Sequence, residues 1–386
     1  MTERTVGLTG QKLITETLPS GFLYYIIPQK GRPPRAALTV RAGSADGGPG
    51  AAHFVEHMLF EGADESGVNA FTDYAKTVLT LEDGGVRSLL SMAKNPPFSP
   101  EAVEAEKPII LSEIRMYADI PRFAALAGCL RGMFRACPVR EPILGTESAV
   151  AETSPEDLRR FHAAFYRPDN MALTVAGDAD AEDIRAAVFE CFGQKEPSAA
   201  PRPKMIEQGG VVHGRVGGAD GRAFFVIGAK LSRLSGDYAA NRAAAAIALD
   251  CLAGASGDLF EKLRGAGLMD DPFGTELMYP YAALLTGVSR DPGAALGAVL
   301  DTALDMIKSG VAPEDFERIR LGRLGRFARG LISPEGAAAM QAELSAFGSD
   351  IIGMEAALKS VSPDAAREWL GAFSEGRVCL SSVAVK

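Results

Sequence analysis

The amino-acid sequence predicts an α+β protein of two homologous halves, each a mainly antiparallel sheet packed with helices. Three observations support this prediction. The chain has 386 residues, which is more than one ordinary hydrophobic core organises. Two pairs of helix-like segments recur in the same order and at nearly the same separation. In each half, strand-like segments precede helical ones and a last strand closes the half.

The recurring segments have the start signals of helices. The first pair is SPEAVEAEKPIILSEIRMY, from Ser99, and APEDFERIRLGRLGRFARG, from Ala312. The second pair is SPEDLRRFHAAF, from Ser154, and SPDAAREWLGAF, from Ser362. All four place proline at the first helical position and an acidic residue after it, as helix N-termini do. Such starts are common singly, but two ordered pairs favour an internal duplication.

The predicted boundaries follow from the duplication. They divide the chain into residues 1–200, a Pro- and Gly-rich linker at 201–210, and residues 211–386. Aromatic and β-branched runs predict the strands. These runs are GFLYYIIPQ, RAALTVRAGS and MALTVAGD in the first half, and AFFVIGAKL, MYPYAALLTGVS and VCLSSVAV in the second.

Composition narrows the class of protein. Hydrophobic residues make up 47% of the chain and charged residues 23%, as in soluble globular proteins. The net charge of −9 disfavours binding to nucleic acid. We see no signal peptide and no apolar stretch of about 18 residues, so no membrane association is expected. Five scattered cysteines without CxxC spacing indicate reduced thiols, and a cytoplasmic location is therefore expected.

The segment HFVEHMLFEG, starting at His53, contains two of the four histidines in the chain. Pro49 and Gly62 predict a short helix over residues 49–61. One helical turn separates His53 from His57, so the two imidazoles project side by side and can share a metal. Glu56, on the flank of the same face, can reach a water on that metal. The alternative is two structural helix histidines beside an ordinary glutamate.

A second helix offers the remaining ligand. Glu106 and Glu113 lie seven residues apart, which places them on one face two turns apart. Either carboxylate can complete a His2Glu site with an open position, and the other can brace a ligand imidazole. The residues alone do not decide between the two. The donor set favours zinc, with iron, manganese and cobalt as alternatives.

These motifs resemble the insulinase/pitrilysin family of zinc peptidases, the inverzincins, to which mitochondrial processing peptidase belongs. The resemblance rests on HxxEH followed by a helix with ExxxxxxE. It extends along most of the chain through VNAFT, EAEKPIILSEI, PILGTESAV and FYRPDNMALTVAGD, in the family's order. EIRMYADIPRF is most similar to the YmfH-type bacterial branch.

The resemblance implies roles for nine residues. Those around the metal are the ligands His53, His57 and Glu113, the general base Glu56, and Glu106 behind a ligand imidazole. Those around the substrate are Asn69, Ala70 and Phe71, beside an edge strand of residues 69–72, and Arg264 from the second half. One zinc ion per chain would then activate a water that Glu56 deprotonates for attack on a peptide carbonyl.

The second half lacks this metal site. The positions that align with Glu106 and Glu113 are Ile319 and Arg326. The family arrangement implies an active half facing an inactive one across an enclosed chamber. Two further departures concern the first half. The segment after Gly62 is shorter than is usual in the family, and Pro108 predicts a kink between the two glutamates.

The substrate-binding residues of the second half are incomplete. Family members use an arginine and a tyrosine seven residues apart. Arg264 matches the arginine, but Asp271 stands where the tyrosine is expected, and Tyr279 and Tyr281 are out of register. This departure predicts a homologous partner chain that supplies the Arg/Tyr pair, or a homodimer.

The sequence thus predicts a cytoplasmic zinc metalloendopeptidase that cleaves short unfolded peptides. One alternative is a non-catalytic core or scaffold subunit of a heteromeric peptidase-like complex, which would be expected to have broken ligands. Another is metal-dependent hydrolysis of a small amide. The sequence names neither the peptide nor the cleavage rule.

Overall fold

The computed structural model describes residues 1–60, 67–82, 85–193, 205–218, 221–231 and 236–385. The chain forms two compact units. Unit 1 comprises Met1–Ser112, Pro142–Lys204 and Gly325–Ala356. Unit 2 comprises Glu113–Glu141, Met205–Leu324 and Ala357–Lys386.

Unit 1 is built on a seven-stranded sheet. Its strands are β1 (Thr2–Thr5), β2 (Lys12–Thr17), β3 (Leu23–Pro28), β4 (Arg35–Val40), β5 (Val68–Thr72), β6 (Thr77–Leu81) and β7 (Met171–Gly177). They lie in the order β1-β2-β3-β7-β4-β6-β5. All neighbours pair antiparallel except β3 with β7. The helices of this unit are α1 (Ala51–Phe60), α2 (Val86–Lys94), α5 (Glu147–Glu152), α6 (Pro155–Phe165), α7 (Ala181–Phe192) and α12 (Pro334–Ser345).

Unit 2 has a five-stranded sheet. Its strands are β8 (Arg215–Val216), β9 (Ala223–Lys230), β10 (Gly274–Met278), β11 (Ala282–Ser289) and β12 (Val378–Ala384), in the order β10-β11-β9-β12-β8. Its helices are α4 (Pro121–Met133), α8 (Tyr238–Ala253), α9 (Asp258–Gly265), α10 (Pro292–Ser309) and α14 (Pro363–Leu370). The unit boundary cuts three further helices, α3 (Pro100–Ala118), α11 (Pro313–Gly330) and α13 (Ile351–Ser360).

The two sheets share one topology. The order β3-β7-β4-β6-β5 in unit 1 matches β8-β12-β9-β11-β10 in unit 2. In each sheet the first pair of this series is parallel and the other pairs are antiparallel. The prediction of an α+β protein with two similar, mainly antiparallel sheets is therefore confirmed. The enclosed chamber stays a prediction.

Two helices at equivalent positions in the sequence halves each pack on the sheet formed by the other half. Helix α12, from the second half of the sequence, packs on β4 and β7 of unit 1. There Ala342 packs with Ala37 and Val78, and Thr39 Oγ1 donates to the Ala342 carbonyl at 3.2 Å. Helix α4, from the first half, packs on β9 and β12 of unit 2. The compact units therefore differ from the predicted division at residues 200 and 211, while the duplication itself stays a prediction about the sequence.

Most predicted helix starts are confirmed. Helices α3 and α11 begin at Pro100 and Pro313, and α6 and α14 follow the predicted serines. The Ser154 and Ser362 side chains each accept a hydrogen bond from the third residue of their helix, which satisfies a backbone N–H that the helix leaves unpaired. The predicted helix at 49–61 is α1, whose described part ends at Phe60; Gly62 lies outside the described residues.

The prediction of one strand over MYPYAALLTGVS is wrong. This segment contains the end of β10, a turn and all of β11. The prediction failed because an apolar run that continues through a tight turn has no break in its hydrophobic pattern. Strands β1, β2, β6, β8 and most of β10 were not predicted. Of the predicted linker, residues 201–204 lie outside the described part of the chain.

Within the described part of the chain, one stretch is long and apolar enough, by length and composition alone, to cross a membrane. It is Tyr238–Gly265, with a mean hydropathy of 1.4 over its 18-residue window. This differs from the expectation that no such stretch exists. However, 61% of that window is buried inside the protein, and a core helix passes the same test. Packing within unit 2 therefore accounts for the apolar character of α8.

Candidate metal centre

Helix α1 carries three of the predicted residues on one turn. His53 and Glu56 are buried and His57 is half-buried. The two imidazole rings lie 4.5 Å apart, centroid to centroid, at 62°. The start of the helix is fixed by Gly50, which has a φ of +80°. A Cβ on Gly50 would lie 2.6 Å from the Leu144 carbonyl oxygen, so only glycine permits this close approach.

Helix α3 supplies both predicted carboxylates. It continues from Pro100 to Ala118 through Pro108, and the boundary between the compact units falls inside it, after Ser112. Glu106 is buried, and its Oε1 lies 2.6 Å from His57 Nδ1. With Nδ1 donating its proton to this carboxylate, Nε2 of His57 is the nitrogen able to bind a metal. The structure thus contains the contact through which Glu106 was predicted to orient the His57 imidazole.

The three predicted ligands come together. One ligand atom from each of His53, His57 and Glu113 lies within 4.8 Å of the other two. Ligand atoms this close together could all bind one metal ion. Two imidazoles and one carboxylate are the donors of a catalytic zinc site with an open position. The residues therefore fit the metal that the resemblance implies.

A cavity of about 370 Å³ lies beside this cluster. Seven residues line it, all from unit 1: Glu56, His57, Phe60, Val68, Asn69, Ala70 and Glu106. Strand β5 is an edge strand of its sheet, as predicted for residues 69–72. Asn69 and Ala70 thus face the same space as the predicted base. Phe71 is 49% exposed and does not line the cavity.

Sequence reasoning missed one contact of the predicted base. Thr72 Oγ1, at the end of β5, donates a hydrogen bond to Glu56 Oε2. Nearby, the Tyr166 side chain is buried, and burial together with the Glu56 charge raises the pKa of its phenol. The signal that could have identified Thr72 is its place directly after VNAF.

Arg264, from the second half, belongs to α9 in unit 2. Its side chain is exposed and lies 3.6 Å from Glu261 in an ion pair. Asp271 is also exposed. Tyr279 packs against Tyr238 with ring centroids 4.8 Å apart, and Tyr281 is buried. Within unit 2, therefore, neither Tyr279 nor Tyr281 has an exposed ring that could stand in for the tyrosine expected at position 271.

The remaining histidines belong to other surroundings. His162 Nε2 lies 2.7 Å from the Ala93 carbonyl oxygen, to which it donates, and burial lowers the pKa of this imidazole. His213 is exposed in unit 2. All five cysteines are free thiols, as predicted.

Comparison with known proteins agrees with the motifs. The family model of the M16 peptidase inactive domain matches residues 153–322. The uncharacterised zinc protease YmfH of Bacillus subtilis is 27% identical over 371 residues, which cover 84% of this chain and 85% of YmfH.

Solved structures show the same fold. An M16-like peptidase from Alicyclobacillus acidocaldarius superimposes with a TM-score of 0.87 at 25% identity, over 97% of this chain and 98% of that one. A peptidase M16 inactive domain from Pseudomonas fluorescens has a TM-score of 0.78 at 16% identity, over 97% and 99% of the two chains. At that identity the second likeness shows the fold alone. Sequence motifs, the relative and the fold agree on one resemblance: the chain is similar to the M16 peptidases, the insulinase/pitrilysin group that HxxEH predicted.

Proposed function

We propose that the chain is a zinc-dependent metalloendopeptidase that hydrolyses short unfolded peptides in the cytoplasm. One observation carries this proposal: the His53, His57 and Glu113 ligand atoms converge where Glu56 and the edge strand β5 line a single cavity. The zinc protease name of the Bacillus relative supports the coarser statement, a peptidase that uses zinc.

The residues divide the chemistry between them. His53, His57 and Glu113 would hold the ion, which when bound supplies the Lewis acidity that acidifies a water and polarises a peptide carbonyl. Glu56 takes the proton of the attacking water and later gives it to the leaving amine. Glu106 keeps the His57 ring in place through Nδ1.

The substrate would bind to the edge of the sheet. An extended peptide can add to β5 as a further strand, and main-chain hydrogen bonds then set its register. Asn69 and Ala70 line the cavity that contains Glu56, so a peptide bond held beside them lies near the proposed base. An edge strand selects extended chains, which favours unfolded peptides over folded proteins.

A partner chain is part of the proposal. Arg264 lacks the tyrosine expected at position 271, and Tyr279 and Tyr281 pack within unit 2. We propose that a homologous chain supplies the Arg/Tyr pair, either as a different subunit or as a second copy of this one. Nucleic acid and membrane have no place in this scheme.

The second candidate function is a non-catalytic core or scaffold subunit. The matched family model is that of the inactive domain, which favours this candidate. The convergence of all three ligands beside Glu56 opposes it, because a scaffold has no use for a complete donor set.

Metal content and cleavage, measured on wild type and Glu56→Gln, decide between the two. We expect one equivalent of zinc in both proteins by mass spectrometry of the metal. We expect cleavage of a casein tryptic digest by wild type and a loss of at least about 100-fold in Glu56→Gln, because general-base catalysis is removed. Zinc in both proteins without cleavage would favour the scaffold. Absence of zinc would contradict the metal site, and hydrolysis of small amides alone would favour the amidase alternative.

The same assay tests the partner. We expect cleavage by the purified chain to increase when cell extract is added, with Glu56→Gln plus extract as the background control. A purified chain that cleaves at its full rate as a monomer would contradict the partner proposal.

A further inference from the structure

The hydroxyl of Thr72 connects the proposed base to the proposed substrate strand. Thr72 is the last residue of β5, and its Oγ1 donates to Glu56 Oε2. Both side chains belong to unit 1, and Glu56 is only 8% exposed. The contact joins α1, which carries the base, to the edge of the sheet.

The carboxylate determines where the Thr72 proton goes. Thr77 faces Thr72 across the β5–β6 pair, and the two Oγ1 atoms lie 3.2 Å apart. Thr77 is fully buried and donates its own proton to the Ala42 carbonyl oxygen at 3.0 Å, so towards Thr72 it can act only as an acceptor. An ionised carboxylate has no proton to donate and is a stronger acceptor than a neutral hydroxyl. The Thr72 proton therefore goes to Glu56.

A bond of this kind constrains a glutamate effectively. A hydrogen bond to an ionised carboxylate is stronger than a hydrogen bond between two neutral groups, and the difference is larger where water is excluded. A glutamate side chain has three rotatable bonds, and a general base must lie within hydrogen-bond reach of the proton it removes. A displacement of about 1 Å is enough to cost about 100-fold in rate.

We propose that Thr72 is a positioning residue that fixes the Glu56 carboxylate relative to the strand that binds the peptide main chain. The proposal rests on the proposed function and extends it. Because Thr72 belongs to β5 itself, a peptide that pairs with β5 in one register places its scissile bond at a fixed distance from the base. Thr72 thereby links substrate register to catalysis through Glu56.

Three substitutions test the role. Thr72→Val keeps the shape of the side chain and removes the hydroxyl, whereas Thr72→Ser keeps the hydroxyl. Thr174→Val is the matched control, because Thr174 is buried in the same sheet and its Oγ1 has no hydrogen-bond partner among the residues that the structure describes. If Thr72→Val does not fold, Thr72→Ala replaces it.

We expect a split between the kinetic constants on a fluorogenic peptide cleaved by wild type. In Thr72→Val, kcat should fall about 10- to 100-fold, with KM within about threefold of wild type. The reason is that the Glu56 carboxylate loses its orientation while the peptide still binds. Thr72→Ser should restore kcat to within about threefold. Thr174→Val should match wild type. An unchanged kcat in Thr72→Val, a change confined to KM, or no rescue by serine would overturn the proposal.

Two measurements do not depend on activity. Zinc affinity should be the same in wild type and Thr72→Val, and in their crystal structures the Glu56 carboxylate should have one orientation in wild type and Thr72→Ser but another, or several, in Thr72→Val. An unchanged orientation in Thr72→Val would overturn the positioning role. Wild type without any peptidase activity would instead contradict the proposed function, and the orientation of Glu56 would still decide the role of Thr72.

Discussion

At the scale of single residues, the metal centre depends on a carboxylate that is not among the proposed ligands. Glu106 Oε1 lies 2.6 Å from His57 Nδ1. An anionic acceptor at this nitrogen orients the ring and increases the basicity of Nε2. We therefore predict that Glu106→Gln lowers zinc affinity about 10- to 100-fold, because a neutral amide oxygen accepts a weaker hydrogen bond. A competition titration with a chelator measures this change.

The same helix offers a control for that prediction. Glu104 pairs with Lys107 at 2.6 Å on the exposed surface of α3. Glu104→Gln makes the same chemical change without touching His57, and zinc affinity should stay at the wild-type value. If Glu106→Gln and Glu104→Gln bind zinc equally, Glu106 does not support the metal site.

Local spacing explains why the candidate ligands could be grouped from the sequence, whereas for Thr72 the sequence indicated only a place on the edge strand. His53 and His57 are one helical turn apart, and Glu106 and Glu113 are two turns apart, so periodicity alone placed each pair on one face. The hydrogen bond from Thr72 to Glu56 joins a strand end to a helix. No spacing rule relates a strand end to a helix face, so this contact could be found only in the folded structure.

At the scale of elements, the described part of the predicted linker is anchored to unit 2. Glu207 accepts hydrogen bonds from the backbone N–H groups of residues 135–137, just after α4, and lies 2.7 Å from Lys230 Nζ. Lys230 is fully buried. The Pro- and Gly-rich composition of residues 201–210 predicted a linker, but composition cannot show that one carboxylate compensates a buried ammonium group.

This anchor should make stability depend on pH. Burial opposes ionisation of Glu207, but hydrogen bonds from Lys230 and the backbone outweigh it and lower the pKa of this carboxyl from its ordinary value of 4.5 to about 2. A folded-state pKa below the unfolded one contributes stability above about pH 4.5 that is lost as the pH falls toward about 2. We predict that Glu207→Gln lowers the Tm near neutral pH, and that the difference from wild type shrinks between these two pH values.

Thermal unfolding followed by circular dichroism across this pH range measures the effect. Glu317→Gln is the control, because Glu317 pairs with Arg320 on α11 at the surface, where ion pairs contribute little. A Tm difference for Glu207→Gln that is constant from neutral pH down to about 2 would contradict the ionic role of Glu207.

At the scale of the whole molecule, the duplicated sequence predicted two similar sheets but could not predict the exchange of α4 and α12. The repeats show which helices are equivalent. They do not show which sheet each helix covers, because the two sheets share the same strand order over five strands. Close packing makes the exchange specific. A Cβ on Gly132 of α4 would lie 2.5 Å from Cys379 Sγ on β12, so this helix lies against its strand more closely than a larger residue allows.

The exchange predicts that neither sequence half folds alone. Residues 1–204 without α12 would expose the sheet face at Ala37 and Val78, and residues 205–386 without α4 would expose β9 and β12. Exposed apolar surface of this kind destabilises a fold and promotes association. We expect each fragment by itself to bind a hydrophobic dye and to melt without cooperativity, and the two produced together to form a 1:1 complex with a cooperative transition.

The intact chain cut by a protease at a site introduced between residues 204 and 205 is the control, because it breaks the same bond after folding. It should keep the cooperative transition of the uncut chain. A fragment of residues 1–204 that is monomeric and melts cooperatively would show that α12 is dispensable for unit 1. The duplicated halves would then be independent domains, and the exchanged helices would add stability without being required for folding.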